Sequence, residues 1–140
     1  MNAPTPRDAA IATVRRYFDA FNAGDRAAML ALLADDVVHD VNQGGRELGR
    51  EAFRAFLARM DRCYRERLED LVVMASDDGR RAAAEFTVQG EYLAADAGLP
   101  PARGQRYVLP AGAFLALDAD GRISRVTTYY NLADWIAQVS

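Results

Sequence analysis

His39 and Asp40 stand side by side in Val37-Val38-His39-Asp40-Val41-Asn42, and this pair is the part of the chain best suited to moving a proton. A carboxylate inside an apolar strand is costly to desolvate unless it is exposed, paired or used. One held in a cleft with a shifted pKa is a common signature of a general base. Tyr17, on the apolar helix that precedes this stretch, adds a hydroxyl to the same candidate proton-transfer site. Asn42 is a neutral hydrogen bonder able to orient a carbonyl, and equally at home in a turn. Neighbours on a regular strand face opposite ways, so His39 and Asp40 cannot both enter one cavity. Either Asp40 is the base, or His39 is the pocket residue.

The elements that must position these groups are legible from period. Ile11, Val14, Phe18 and Phe21 keep helical spacing, Gly24 suits the helix end, and Asp25 can cap a second helix carrying Met29, Leu30, Leu32 and Leu33. A strand over Val37 to Asn42 is broken by Gly44-Gly45. A third helix is expected from near Gly49, with Phe53, Phe56, Leu57, Met60 and Tyr64 on one face. The period then becomes two. Leu68 to Ser76, Arg81 to Leu93, Gln105 to Leu117 and Arg122 to Asn131 read as strands, with hairpin turns at Asp77-Asp78-Gly79 and Asp118-Ala119-Asp120-Gly121. The stretch Ala94 to Gly104 is a long loop and a candidate lid, and a short helix with Trp135 and Ile136 closes the chain.

This order predicts an α+β fold in one domain, residues 1–140, with helices packed on a curved, mostly antiparallel sheet that encloses a pocket. Alternation turns Phe86, Val88, Leu109 and Leu115 toward the pocket as an apolar wall, with Val126, Thr128 and Tyr130 beside them. Glu85, Thr87, Gln89 and Arg125 fall on the other face, interleaved with Thr127 and Tyr129.

Composition narrows the function. Hydrophobic residues make up 51% of the chain, which argues for a packed domain, and the formal charge of −3 favours neither nucleic acid nor a membrane surface as partner. A lone histidine and a lone cysteine disfavour soft metal ligation, and Cys63 reads as a buried, inert thiol. Met1-Asn2-Ala3-Pro4-Thr5-Pro6 lacks the charged-then-apolar pattern of a secretory signal, so a cytoplasmic protein is the expectation.

Five motifs span most of the chain: Arg16-Tyr17, Asn22-Ala23-Gly24-Asp25, Ala34-Asp35-Asp36 through Asp40, Gly49-Arg50-Glu51 and Asp120-Gly121-Arg122-Ile123. Together they resemble the nuclear transport factor 2-like superfamily, and within it the ketosteroid isomerases and SnoaL-like polyketide cyclases. His39 to Gly45, Gly98-Leu99-Pro100-Pro101-Ala102 and Tyr129-Tyr130-Asn131-Leu132 are similar to a bacterial group described as ketosteroid isomerase-related. The resemblance implies a cone-shaped fold, cofactor-free acid/base chemistry and a homodimer joined through the sheet face. It gives Tyr17 the oxyanion-holding role and Asp40 that of the base, although the interval from Asp35-Asp36 is one residue shorter here. A one-residue slip turns a strand side chain to the other face.

Two positions depart from those families. The second oxyanion donor of the isomerases falls at Ala113 and the acid/base Asp of the cyclases at Asn131, neither of which can give a proton. Losing one oxyanion donor costs about 2.7–4 kcal/mol, so steroid isomerisation should be weak or absent. The expected function is isomerisation, cyclisation or dehydration beside the carbonyl of a small apolar compound. Asp40, Tyr17 and His39 are its candidate catalytic residues. Asn42, Phe86, Val88, Leu109, Ala113, Leu115, Val126, Thr128 and Tyr130 are its candidate binding residues. The alternative is a non-catalytic ligand-binding or assembly module of the same fold.

Overall fold

Pro6, with a fixed φ and no N–H to lose, opens the first helix, α1 (Pro6–Ala23), behind a Thr5 cap whose hydroxyl accepts from the Asp8 amide. Gly24 ends it in the left-handed conformation (φ 71°), and Asp25 at once caps α2 (Arg26–Ala31). The chain then forms β1 (Leu33–Asp40), β2 (Arg46–Leu48), α3 (Arg50–Cys63), β3 (Tyr64–Ala75), β4 (Arg81–Tyr92), β5 (Gln105–Leu117), β6 (Ile123–Tyr130) and α4 (Leu132–Val139). This computed structural model describes residues 3–140; Met1 and Asn2, the start of the stretch read above for a targeting signal, lie outside the described residues. Among those residues no helix is long and apolar enough to cross a membrane.

The six strands form one open sheet in the order β2-β1-β6-β5-β4-β3. β1 and β6 run parallel and every other pair antiparallel. The architecture is the α+β cone anticipated from the sequence. Two differences matter. β2 is a three-residue strand that no alternation could announce, and it pairs back on β1 with His39 opposite Glu47. Tyr64 begins β3 rather than ending a helix, so β3 starts four residues earlier than the periodicity indicates. Its polar stretch Arg65-Glu66-Arg67 hid the alternation, because the strand there faces water on one side and a cavity on the other.

β3 is an edge strand, and one side chain occupies its open backbone. Asn22 near the end of α1 donates to the Leu68 carbonyl (2.9 Å) and accepts from the Leu68 amide (2.8 Å). This two-point bond imitates a strand neighbour, covers part of the edge and fixes the angle of α1 over the sheet. Asn22→Ala leaves both Leu68 groups unpaired in a half-buried setting. Urea unfolding should show a loss of about 1–3 kcal/mol, whereas an unchanged midpoint would mean that water replaces the bond freely.

Candidate functional site

A cavity of about 540 Å³ lies between the sheet and the helices. Phe86, Val88, Leu109, Val126, Thr128 and Tyr130 form its floor, and Tyr17, Phe18, Phe21, Phe53 and Phe56 come down from the helices. The turn after β1, with Asn42 and Gln43, closes one end, and Asp96 and Leu99 of the 94–104 loop close another. That loop is pinned: the Tyr92 hydroxyl donates to the Pro100 carbonyl at 2.7 Å and accepts from the Asp96 amide at 2.9 Å.

His39 faces this cavity. Its ring packs on Phe56 and Phe53, with centroids 4.4 and 5.1 Å away. Nδ1 lies 3.2 Å from Oε1 of Glu47, the residue opposite it on β2. Burial holds the imidazole pKa below its ordinary value, against the hydrogen bond and charge of Glu47, which pull it up. A neutral ring with Nδ1–H donating to a carboxylate carries its lone pair on Nε2. Nε2 has no hydrogen-bond partner among the described residues and is not sealed from the cavity. This is the arrangement of a general base with an orienting carboxylate.

Tyr17 also lines the cavity, and burial raises its pKa well above that of free tyrosine. Its hydroxyl therefore stays protonated, and it makes no hydrogen bond to the described residues. Tyr130 is pushed up in the same way. Both are available donors.

Asp40 requires a correction. It lies on the outer face of the sheet, away from the cavity, where Oδ1 accepts from Arg46 Nε (2.7 Å) and Oδ2 from Arg125 (3.3 Å). The Arg46 hydrogen bond leads in holding its pKa below the usual carboxylate range, so it is a poor proton acceptor. The cause is the strand register: Val37 and His39 point inward, and Asp40 must point out. Ala113 and Leu115 also do not line the cavity. They face inward, but they lie farther along β5 than Leu109 and Ala111, in the packed core that also contains Val14. Asn131 has a structural task, its side chain capping α4 through the Asp134 amide (3.0 Å).

Sequence reasoning missed the polar groups at the other flank. Glu66 of β3 projects inward and accepts from the Tyr107 hydroxyl at 2.6 Å; burial raises its pKa despite that bond. The Tyr64 hydroxyl donates to Asp96 at 2.9 Å, and Arg59 lies 3.7 Å from the same carboxylate. Arg26 grips Asp61 and lies over Phe21. The one available signal was the parity of Glu66 with Leu68, which places both on the inner face.

A family model described as SnoaL-like domain matches residues 14–126. No curated protein matches the chain. Among solved structures, a candidate polyketide cyclase from Pseudomonas putida KT2440 is 58% identical over 99% of this chain and 100% of its own, with a TM-score of 0.91. Another from Xanthomonas campestris is 57% identical over 97% of this chain and 100% of its own, with a TM-score of 0.93. An LEH-like epoxide hydrolase from M. tuberculosis shares the fold at 19% identity, covering 98% of this chain and 89% of its own, with a TM-score of 0.74.

Because the chain has one histidine, its ring signals in a proton NMR titration are unambiguous. The midpoint should lie below the free value of about 6.5, and Glu47→Gln should lower it further by removing the charge that raises it. The unfolded chain then takes up the proton more readily. Stability should fall with decreasing pH from about 6.5 down to the native midpoint. A midpoint above the free value would overturn this account of the ring.

Proposed function

The chain belongs to the SnoaL-like family, and from that premise we propose that it is a cofactor-free acid/base enzyme acting beside the carbonyl of a small, largely apolar ligand. His39, held by Glu47, takes the proton. Tyr17 donates to the oxygen on which negative charge develops, and the apolar floor excludes water so that both interactions are strong. Asn42 and Tyr130 orient the ligand. The observation that supports this reading is an imidazole fixed at Nδ1, with Nε2 open to an aromatic-walled cavity. Proton removal beside a carbonyl is the step common to isomerisation, cyclisation and dehydration.

The test is exchange of the acidic α-hydrogens of 2-tetralone for deuterium, followed by NMR in D₂O. Wild type should accelerate exchange. His39→Gln should reduce the acceleration by about a hundredfold or more, Tyr17→Phe should reduce it less, and Asp40→Asn should retain most of it. Loss in Asp40→Asn with retention in His39→Gln would reverse the assignment. Ala113 and Asn131, silent where related mechanisms need a proton donor, favour the alternative of a binding module. In that case no variant changes the exchange rate.

We also propose a homodimer through the outer sheet face. Val72, Met74, Phe114 and Tyr129 are each about half exposed there, and the Phe114 and Tyr129 rings meet edge to face at 5.7 Å. Such a patch suits a partner surface. Light scattering at micromolar concentration should give twice the chain mass of 15.4 kDa, and Phe114→Glu should give a monomer. A monomeric wild type refutes the dimer.

A further inference from the structure

Glu66, Gly90 and Tyr107 occupy one row across β3, β4 and β5. A Cβ on Gly90 would lie 2.2 Å from the Tyr107 ring, so the missing side chain is what lets that ring cross the middle strand. Its hydroxyl then reaches Glu66 Oε2, two strands away. Tyr107 is almost fully buried, and its ring meets Trp135 edge to face at 5.8 Å, so the brace is rigid. Two positions on separate strands, Gly90 and Tyr107, are committed to holding the Glu66 carboxylate.

The other oxygen is free. Oε1 of Glu66 has no hydrogen-bond partner among the described residues and is not sealed from the cavity. The remaining charged groups of the cavity wall are committed, Arg26 to Asp61, Asp96 to Arg59 and Tyr64, and His39 to Glu47. Glu66 forms no ion pair with any described residue. A carboxylate oxygen facing an apolar-walled cavity is best satisfied by a donor, and none of the described residues supplies one.

Position makes this a second station rather than part of the first. His39 is on β1 and Glu66 on β3, four strand spacings apart in the sheet order. At about 4.8 Å per spacing, they lie at opposite flanks even after the sheet curves. Tyr130, on β6, falls between them in the strand order.

We propose that Glu66 anchors the far end of the ligand by accepting a hydrogen bond from a hydroxyl group, so that the substrate class is an elongated, mainly apolar ring compound with a carbonyl at one end and a hydroxyl at the other. The carbonyl end rests on the acid/base reading above; the hydroxyl end does not. A hydroxyl fits better than an ammonium group because burial already opposes charge at Glu66 and the Arg26 charge already acts on it, so a neutral donor adds no further ion to desolvate.

The experiment is calorimetric titration of three bicyclic ketones: 2-tetralone, 6-hydroxy-2-tetralone and 6-methoxy-2-tetralone. Wild type should bind the hydroxy compound about tenfold or more tighter than the methoxy compound, the scale of a hydrogen bond to a charged acceptor. Glu66→Leu should bring that ratio to about one, and Tyr107→Phe should reduce it without abolishing it. Glu66→Met, which keeps the length of the side chain but has no oxygen to accept with, covers the case in which the leucine variant does not fold. It should likewise lose most of the preference. His39→Gln should leave the ratio intact. Equal binding of the hydroxy and methoxy compounds by wild type, no binding of the hydroxy compound at millimolar concentration, or a preference that survives in Glu66→Met would overturn the anchor. A preference that behaves as expected, together with no deuterium exchange in wild type, would instead remove the acid/base reading and leave the anchor standing.

Discussion

β1 is clamped on both sides, antiparallel to β2 and parallel to β6, and its period-two alternation decides what chemistry the cavity can hold. Sliding the strand by one residue would drive Asp40 against Phe53 and Phe56 as an unpaired buried charge. It would also place His39 between Arg46 and Arg125, where a carboxylate now satisfies both guanidinium groups. The observed register avoids both costs together. Each flanking strand contributes to it: β2 supplies Arg46 for the outer face and Glu47 for His39, and β6 supplies Arg125 and Val126. The choice between two candidate proton acceptors is thus made by pairing energetics outside the cavity.

Inside, the charged groups of the cavity wall other than Glu66 are matched by partners. Arg26 is bound to Asp61, Arg59 faces Asp96, and Glu47 holds His39 while remaining partly in water itself. Burial outweighs the opposing charge of Arg26 at Tyr17, which no acceptor among the described residues engages, and the hydroxyl is kept protonated as a result. An imidazole with a lowered pKa and a tyrosine with a raised one are both neutral near neutral pH. They can approach an apolar ligand without the desolvation cost of an ion, and they acquire charge only as a proton moves. A carboxylate base on the same floor would have carried that cost in the resting state.

The architecture was largely legible in the sequence and the site only partly so. Helix spacing at Val14 and Phe18, the Gly24–Asp25 junction and the alternation Ala82, Ala84, Phe86, Val88 all report local rules, and local rules survive in the fold. His39 and Asp40 could be recognised as alternatives, because alternation forbids both, but the phase of the strand depends on β2, whose three residues carry no pattern. Glu66 was hidden for a related reason. Arg65, Glu66 and Arg67 are three charged residues in a row, so beyond the parity with Leu68 nothing local marks the middle one, and the row through Gly90 to Tyr107, distant in sequence, shows that it turns inward.

That row bears on how one fold can serve different chemistries. Along the centre of the sheet the inward positions are small or apolar: Ala82, Ala84, Phe86, Ala111 and Ala113, with Asn131 turned to capping α4. A charge there would sit farthest from water and closest to the helix layer, where desolvation is most costly. The flanks are cheaper. β2 and β3 are edge strands, so Glu47 keeps partial contact with solvent and Glu66 is reached by a tyrosine passing over a glycine. Central strands of this kind set the width and apolarity of the cavity, and the edge strands add polar groups at its flanks, Glu47 by holding His39 and Glu66 directly. Function can then change by substitution at the edges while the core packing that holds the cone remains untouched.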